Sequence, residues 1–371
     1  MSMVGIGAVL MVQGLYDSYA MAGRVAAVLG LAQALLAPQI GRWADRHGQR
    51  TVLLPALVVS VTGLGGLVTA AVLGAPEWVL WPFAVLAGGS QGSYGAMVRA
   101  RWNHALADPR RLHTAYSLES SIDELIYIIG PVLATTLATA VAAPSALILA
   151  GVAAVVGGLL FVVQRATEPP VVAPDATVRS RPVVLTPGMP VMVLVFIAMG
   201  VIFGSMEVAT VAFAEDLGSK GLSGVVLAVF ALGSMLAGLA YGARHFTSSP
   251  ARRFVIGMAA LGPGVSLYLL AQSLWVLAIA MFVAGLAIAP TVITGNGLVQ
   301  DMVGRHQLTE ALTWVGTSIG IGASLGAWLA GARVEVAGAG AGFLITVGAA
   351  WFATLLTLAA SRTLRRQSAA R

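Results

Sequence analysis

The chain has no cysteine, a single lysine (Lys220) and little charge of either sign. Without cysteine there is no disulfide, no thiolate metal site and no cysteine nucleophile. The five histidines are scattered, none paired at metal-ligand spacing, so neither a metal nor another cofactor is expected. No stretch has the form G-x-x-x-x-G-K-[ST], which excludes a nucleotide-driven pump within this chain. Charged residues make up 10% of the 371 positions, against about a quarter in a soluble globular protein. No basic segment precedes the first apolar run, Met1–Leu15, and more apolar runs follow, so that run does not read as a secretory signal. It is short of the roughly 20 residues a bilayer crossing takes, and we expect the natural product to start upstream, inside a longer first helix.

What is present is apolar sequence: 58% of residues are hydrophobic, and the mean hydropathy is +0.88. Apolar runs separated by charged or Gly/Pro-rich breaks predict twelve spans near 1–16, 22–42, 51–74, 78–102, 112–141, 144–164, 189–213, 222–243, 252–272, 274–300, 308–333 and 338–361. The longest polar interval, Arg165–Pro190, divides them six and six. The expected domains are a bundle over 1–164, a linker over 165–190 and a second bundle over 191–371 with a short tail. The formal charge of +6 does not point to nucleic acid, because the arginines sit in short clusters between spans. Placing both chain ends and alternate loops in the cytoplasm puts 18 of the 21 basic residues inside, with only Arg24, Lys220 and Arg333 outside. That imbalance predicts a multi-pass protein of the cytoplasmic membrane with both termini inside.

The two halves resemble each other. Leu112-His-Thr-Ala115 and Gly130-Pro-Val-Leu133-Ala134 align with Leu308-Thr-Glu-Ala311 and Gly326-Ala-Trp-Leu329-Ala330 at an offset of 196, and Ala87-Gly88 with Ala284-Gly285 at 197. Arg46 and Arg244, closing spans 2 and 8, are 198 apart. A nearly constant offset fits two parallel six-helix repeats with a substrate path between them.

Between spans 2 and 3 lies a short charged loop, Gly41-Arg-Trp-Ala-Asp45-Arg46-His47-Gly48-Gln49-Arg50. Gly41 is expected to let two helices approach closely, and Gly48 to permit a turn that a side chain would resist. Asp45, Arg46 and Arg50 supply charges that lock or release neighbouring helix ends. This loop resembles the G-x-x-x-D-[RK]-x-G-[RK]-[RK] motif of the Major Facilitator Superfamily, with Gln49 in place of one basic residue. The resemblance covers essentially the whole chain and implies an all-α multi-pass fold of two parallel six-helix bundles with twelve transmembrane helices. It also implies that Asp45 faces the start of span 11 at Thr309-Glu310, where Glu310 would compete unless an arginine intervenes, and that the protein is a monomer. Gly130-Pro131 on span 5 is a partial match to the drug/proton antiporters of that superfamily; the glycines expected before it are replaced by Glu119–Ile128.

Ionisable groups inside spans are expensive and mark function by default. Glu207 stands alone in span 7, past the midplane toward the outer side, where desolvation penalises its charged form. It is a candidate for proton coupling, or else a structural carboxyl. Span 5 carries Glu119, Asp123 and Glu124. Glu119 and Asp123 share a helix face, and Arg99 on span 4 is expected to pair with one of them, as a static girdle or as part of a relay. Gly88/Gly92 and Gly322/Gly326 have the spacing of close helix contacts. Gln91, Tyr94, Asn296, Trp314 and Thr317 are candidates to line a cavity.

The expected function is a secondary transporter working by alternating access, not an enzyme. Its expected partners are a small organic solute, protons and the lipid bilayer, with efflux ahead of proton-linked uptake of a sugar or metabolite. A sensor or assembly protein of the same fold is the alternative from another class.

Overall fold

A chain buried in lipid must satisfy its backbone polar groups internally, and here helices alone do so. The computed structural model describes residues 2–92, 94–106, 108–171, 186–244, 246, 248–303 and 308–364. The helices are α1 Ser2–Tyr16, α2 Tyr19–His47, α3 Gln49–Val72, α4 Glu77–Gly89, α5 Tyr94–Ala105 and α6 Pro109–Ala140. They continue with α7 Ser145–Val163, α8 Met189–Asp216, α9 Ser223–Gly242, α10 Pro250–Ser266, α11 Leu274–Met302 and α12 Leu308–Ala359. Among the described residues there is no strand.

Among the described residues, eight helices are long and apolar enough to cross a membrane, and Met3–Tyr16 and Leu125–Ala140 are shorter apolar helices. Two details bring these to the twelve expected crossings. The 52 residues of α12 make two, because the helix breaks at Gly338 (φ 77°, ψ 178°), a left-handed turn that only glycine adopts cheaply. Spans 308–333 and 338–361 are therefore joined without a loop. Conversely, the single span expected over 78–102 is divided into α4 and α5 by non-helical residues at 90–92. Gly88, Gly89, Gly92 and Gly95 each weaken a helix by about 1 kcal/mol, and the Ser90 hydroxyl bonds back to the Leu86 carbonyl, competing with the ladder.

A second correction concerns the charged loop. Residues 41–47 are the last turns of α2, and only Gly48 (φ 89°, ψ 143°) leaves the helix before α3 begins. The hinge is one residue, not ten.

The helices run between two ends. The turn face carries the short connections α1–α2, α3–α4, α6–α7, α8–α9 and α10–α11 and the Gly338 break; the linker face carries Gly48 and the long segment between α7 and α8. Within the second half, α8 lies directly on the first part of α12. A Cβ on Gly200, Gly204, Gly322 or Gly326 would overlap the facing backbone, so the expected close contact of Gly322/Gly326 is present and reciprocated. In the first half, Gly88 lies against the Leu29 carbonyl of α2. The halves meet along α2 with α12 and along α6 with α9. A core cluster of Ala22, Val25 and Leu29 takes in Val208, Ala327 and Ala330 from the other half.

Candidate functional site

At the turn face the seam between halves is polar. Glu215, at the end of α8, accepts from Gln13 Nε2 on α1 at 3.1 and 3.0 Å, and from the Tyr19 hydroxyl at the start of α2. Lys220 Nζ stands 3.1 Å from Glu215 Oε1 and also donates to Gln13 Oε1. One carboxylate thus gathers two donors from the first half and a cation from its own. Close by, the Ala20 N–H donates to Glu335 Oε2 of α12 at 3.1 Å, a carboxylate from one half capping a helix N-terminus of the other. The sequence reading passed over Gln13, Tyr19, Glu215 and Glu335 and counted Lys220 only for topology. The signal available was a carboxylate ending one apolar run next to the sole lysine opening another.

Below this cluster the backbones touch. A Cβ on Gly23 would lie 2.5 Å from the Ala327 carbonyl oxygen, and one on Gly331 would overlap the Tyr19 carbonyl. Gly30 faces Ser324, and Gly320 faces Ala34. Residues 23, 30, 34 and 41 fall on one face of α2 at 100° per residue. At Gly41 that face meets nothing within 4 Å among the described residues. The expectation that Gly41 brings two helices together is therefore corrected for this conformation: among the described residues, the contact of α2 with α12 ends before Gly41 is reached. Trp314, 38% exposed, sits on α12, and Thr317 and Asn296 are partly exposed. On the second seam, Gly224 of α9 packs on the Pro131 carbonyl of α6, and Thr135 Oγ1 is 3.5 Å from Ser223 Oγ.

Glu207 lies on the seam too. Its Oε1 and Oε2 stand 3.4 and 3.6 Å from where a Cβ on Gly5 of α1 would be. No side chain among the described residues donates to it. Eight residues separate it from Glu215, about 12 Å along the helix. Arg99 Nε pairs with Glu119 Oε1 at 3.0 Å, Glu119 being the more buried partner. The side chains of Asp45, Asp123, Glu124 and Glu310 lie outside the described residues.

At the linker face the first half is tied by a second arginine of α5. Arg101, 5% exposed, donates through Nε to Gln49 Oε1 at 2.8 Å and through Nη1 to the Phe161 and Gln164 carbonyls at 2.9 and 2.8 Å. Its guanidinium lies 3.7 Å over the Phe161 ring. Glu168 Oε1 accepts from the Arg50 N–H at 2.9 Å, supplying the N-terminal cap of α3 that Gly48 has no side chain to give. Gln49, the departure from the motif, is thus the acceptor for Arg101, a role a basic side chain cannot fill. Replacing Arg101 with alanine should cost about 2 kcal/mol for the lost hydrogen bonds and stacking. Thermal unfolding of the purified protein should shift down by several degrees, with no rescue by lysine, which lacks the fork.

One proposed cavity residue lies elsewhere. Tyr94 packs edge-on to Phe161 against the Ile40, Leu53 and Val162 cluster, inside the first half. Gln91 is buried in the break between α4 and α5, its Oε1 without a hydrogen-bond partner among the described residues. Sequence alone assigns depth but not the face of a helix whose turn is broken.

A family model described as the Major Facilitator Superfamily matches residues 1–259 and 191–371, together the whole chain. Among solved structures, the nucleoside transporter NupG in a mutant form has a TM-score of 0.73 at 15% identity, with 96% of each chain covered. A bacterial homologue of the iron transporter ferroportin has a TM-score of 0.73 at 13% identity over 97% of this chain and 96% of that one. A bacterial homologue of the human lysosomal transporter Spinster reaches 0.70 at 14% identity, covering 99% and 94%. Identities this low establish a shared fold. Among curated proteins none matches the sequence. A family match across the full length, on two helical halves joined at the turn face, makes this chain a member of the Major Facilitator Superfamily and a secondary transporter.

Proposed function

We propose that the protein exports a small organic solute across the cytoplasmic membrane in exchange for protons. Residues 1–164 and 191–371 act as two bundles that tilt about the seam, joined by the linker over 165–190. Arginine counting supports a cytoplasmic linker face, so this conformation is shut outward. The observation that carries the proton reading is Glu207, a carboxyl with no donor among the described residues, set against a glycine on the opposing half. Its charge state is felt where the halves must part. Protonation lets it stay in the closed seam at little cost, and ionisation favours water and hence opening. The Gly130-Pro131 pair supports antiport, since the Pro131 carbonyl lies at the contact with α9.

The test is Glu207→Gln in proteoliposomes. Accumulation driven by a pH gradient should fall by at least tenfold, or 1.4 kcal/mol, while solute exchange without a gradient continues near the wild-type rate. Equal gradient-driven transport by the variant removes Glu207 from coupling. A growth-inhibition panel in a pump-deficient host, followed by counterflow, supplies the solute.

A further inference from the structure

Outside the seam, on the surface α2 turns away from α1, a groove of about 300 Å³ opens between the two halves. Its walls are Val28 and Leu31 of α2, Trp81 of α4, and Leu325 and Trp328 of α12, with Arg24 at the rim. On α2 the lining positions 24, 28 and 31 are rotated by about 80–160° from Gly23 and Gly30, which face α12, and lie roughly opposite the buried Ala22. Trp81 and Trp328 are 41% and 43% exposed. The groove therefore looks sideways into the membrane and not into the gap between the halves. From Arg24 to Leu31 it runs about 10 Å along the helix, from the turn face toward the membrane interior.

Its rim is charged with both signs. Arg24 Nε and Nη2 form a fork on Glu77 Oε1 and Oε2 at 2.5 and 2.7 Å. This fork leaves Nη1 free to meet a phosphate, while the carboxylate keeps acceptor sites for an ammonium. An anionic headgroup alone would face Glu77 as well as Arg24; a zwitterion with a protonated amine complements both. Trp81 and Trp328 are the side-chain type favoured at the membrane–water boundary.

We propose that the groove binds a phospholipid of the leaflet at the turn face, of the aminoethyl phosphate type. Its phosphate sits on Arg24, its ammonium on Glu77, and one acyl chain lies between α2 and α12. Because the walls belong to different halves, the lipid fits only while the turn face is shut, so it biases the carrier toward that state. The inference uses the depth of the chain in the membrane and is independent of proton coupling or transport direction.

The test is native mass spectrometry of the full-length protein after exchange into micelles containing phosphatidylethanolamine, phosphatidylcholine or phosphatidylglycerol. Wild type should retain one phosphatidylethanolamine at least tenfold more than either other lipid, one decade in Kd. Ala27→Trp, which fills the groove, and the milder Arg24→Gln should each abolish that preference while keeping wild-type helicity and elution. Equal retention by wild type and Ala27→Trp overturns the proposal. So does equal binding of phosphatidylcholine, whose quaternary amine donates no hydrogen bond to Glu77. Retention of a lipophilic dye in place of any lipid also overturns it. None of these readouts involves flux, so failure here leaves Glu207 untouched, and the reverse holds.

Discussion

Replacing Glu215 by alanine should drive the protein out of the state with its turn face shut. The carboxylate accepts from Gln13 and Tyr19 across the seam, and hydrogen bonds to a charged group contribute about 1.5–3 kcal/mol each. Partial solvent access trims that figure. A loss near 3 kcal/mol still shifts a two-state equilibrium by roughly a hundredfold. Lys220, deprived of its counterion, adds to the shift in the same direction. The cysteine-free background makes the measurement direct. Leu15→Cys and Leu217→Cys place exposed spin-label sites on α1 and just beyond α8 at the turn face. In the parent their distance distribution should be dominated by one short population, and in Glu215→Ala by a longer one. Tyr19→Phe should move it part of the way. An unchanged distribution in Glu215→Ala would show that the cluster is ornament on a seam held by packing.

The second large effect comes from packing itself. Gly331→Val puts branched carbons where the Tyr19 carbonyl and the Gly23 Cα, 3.1 Å from the first added atom, already lie. Overpacking of this kind costs about 1–3 kcal/mol, and here it falls entirely on the conformation in which α2 and α12 are in contact. Counterflow should drop by about tenfold or more for each 1.4 kcal/mol, with the spin-label pair again reporting an opened turn face. Gly41→Ala, on the same face of α2, should instead raise the stability of this state by about 0.5–1 kcal/mol, because the position is helical and nothing among the described residues lies within 4 Å of the added carbon. Combining Gly331→Val with Glu215→Ala should give less than the sum of the two free-energy changes, since Tyr19 takes part in both contacts, its hydroxyl on Glu215 and its carbonyl on Gly331. Strict additivity would mean the polar cluster and the glycine contact bear on the closed state independently.

Much of this architecture was legible from the order of apolar runs. Their number, the central break and the repeat offset near 196 all follow from a period and a length, which a linear chain records faithfully. The pairing of Arg99 with Glu119 was legible as well, because charges inside spans are few and must meet. What escaped were relations set by rotation about helix axes. Tyr94 was assigned by depth to the gap, yet its ring points at Phe161 within the first half, since the break at 90–92 resets the helical phase. Gln49 looked like a defect in a motif; only the approach of Arg101 from α5 shows it to be an acceptor. Gln13 and Tyr19 gave no signal, because an uncharged polar residue near a span end is ordinary until the opposing carboxylate is in view.

The Gly338 break makes the halves mechanically unequal. The first part of α12 faces α2, and its continuation beyond Gly338 is clamped to α10, Trp351 Nε1 donating to Ser266 Oγ and Thr354 Oγ1 to the Met258 carbonyl. A push received at Gly331 is thus handed on across the Gly338 break to the outer wall of its own bundle. The corresponding α4–α5 rod on the other side is interrupted beside Gln91, whose Oε1 has no partner among the described residues, while its repeat counterpart α11 runs uninterrupted for 29 residues. The α4–α5 rod therefore has a joint at its waist that α11 lacks, so the two lobes are unequally stiff at corresponding places despite the repeat between their sequences.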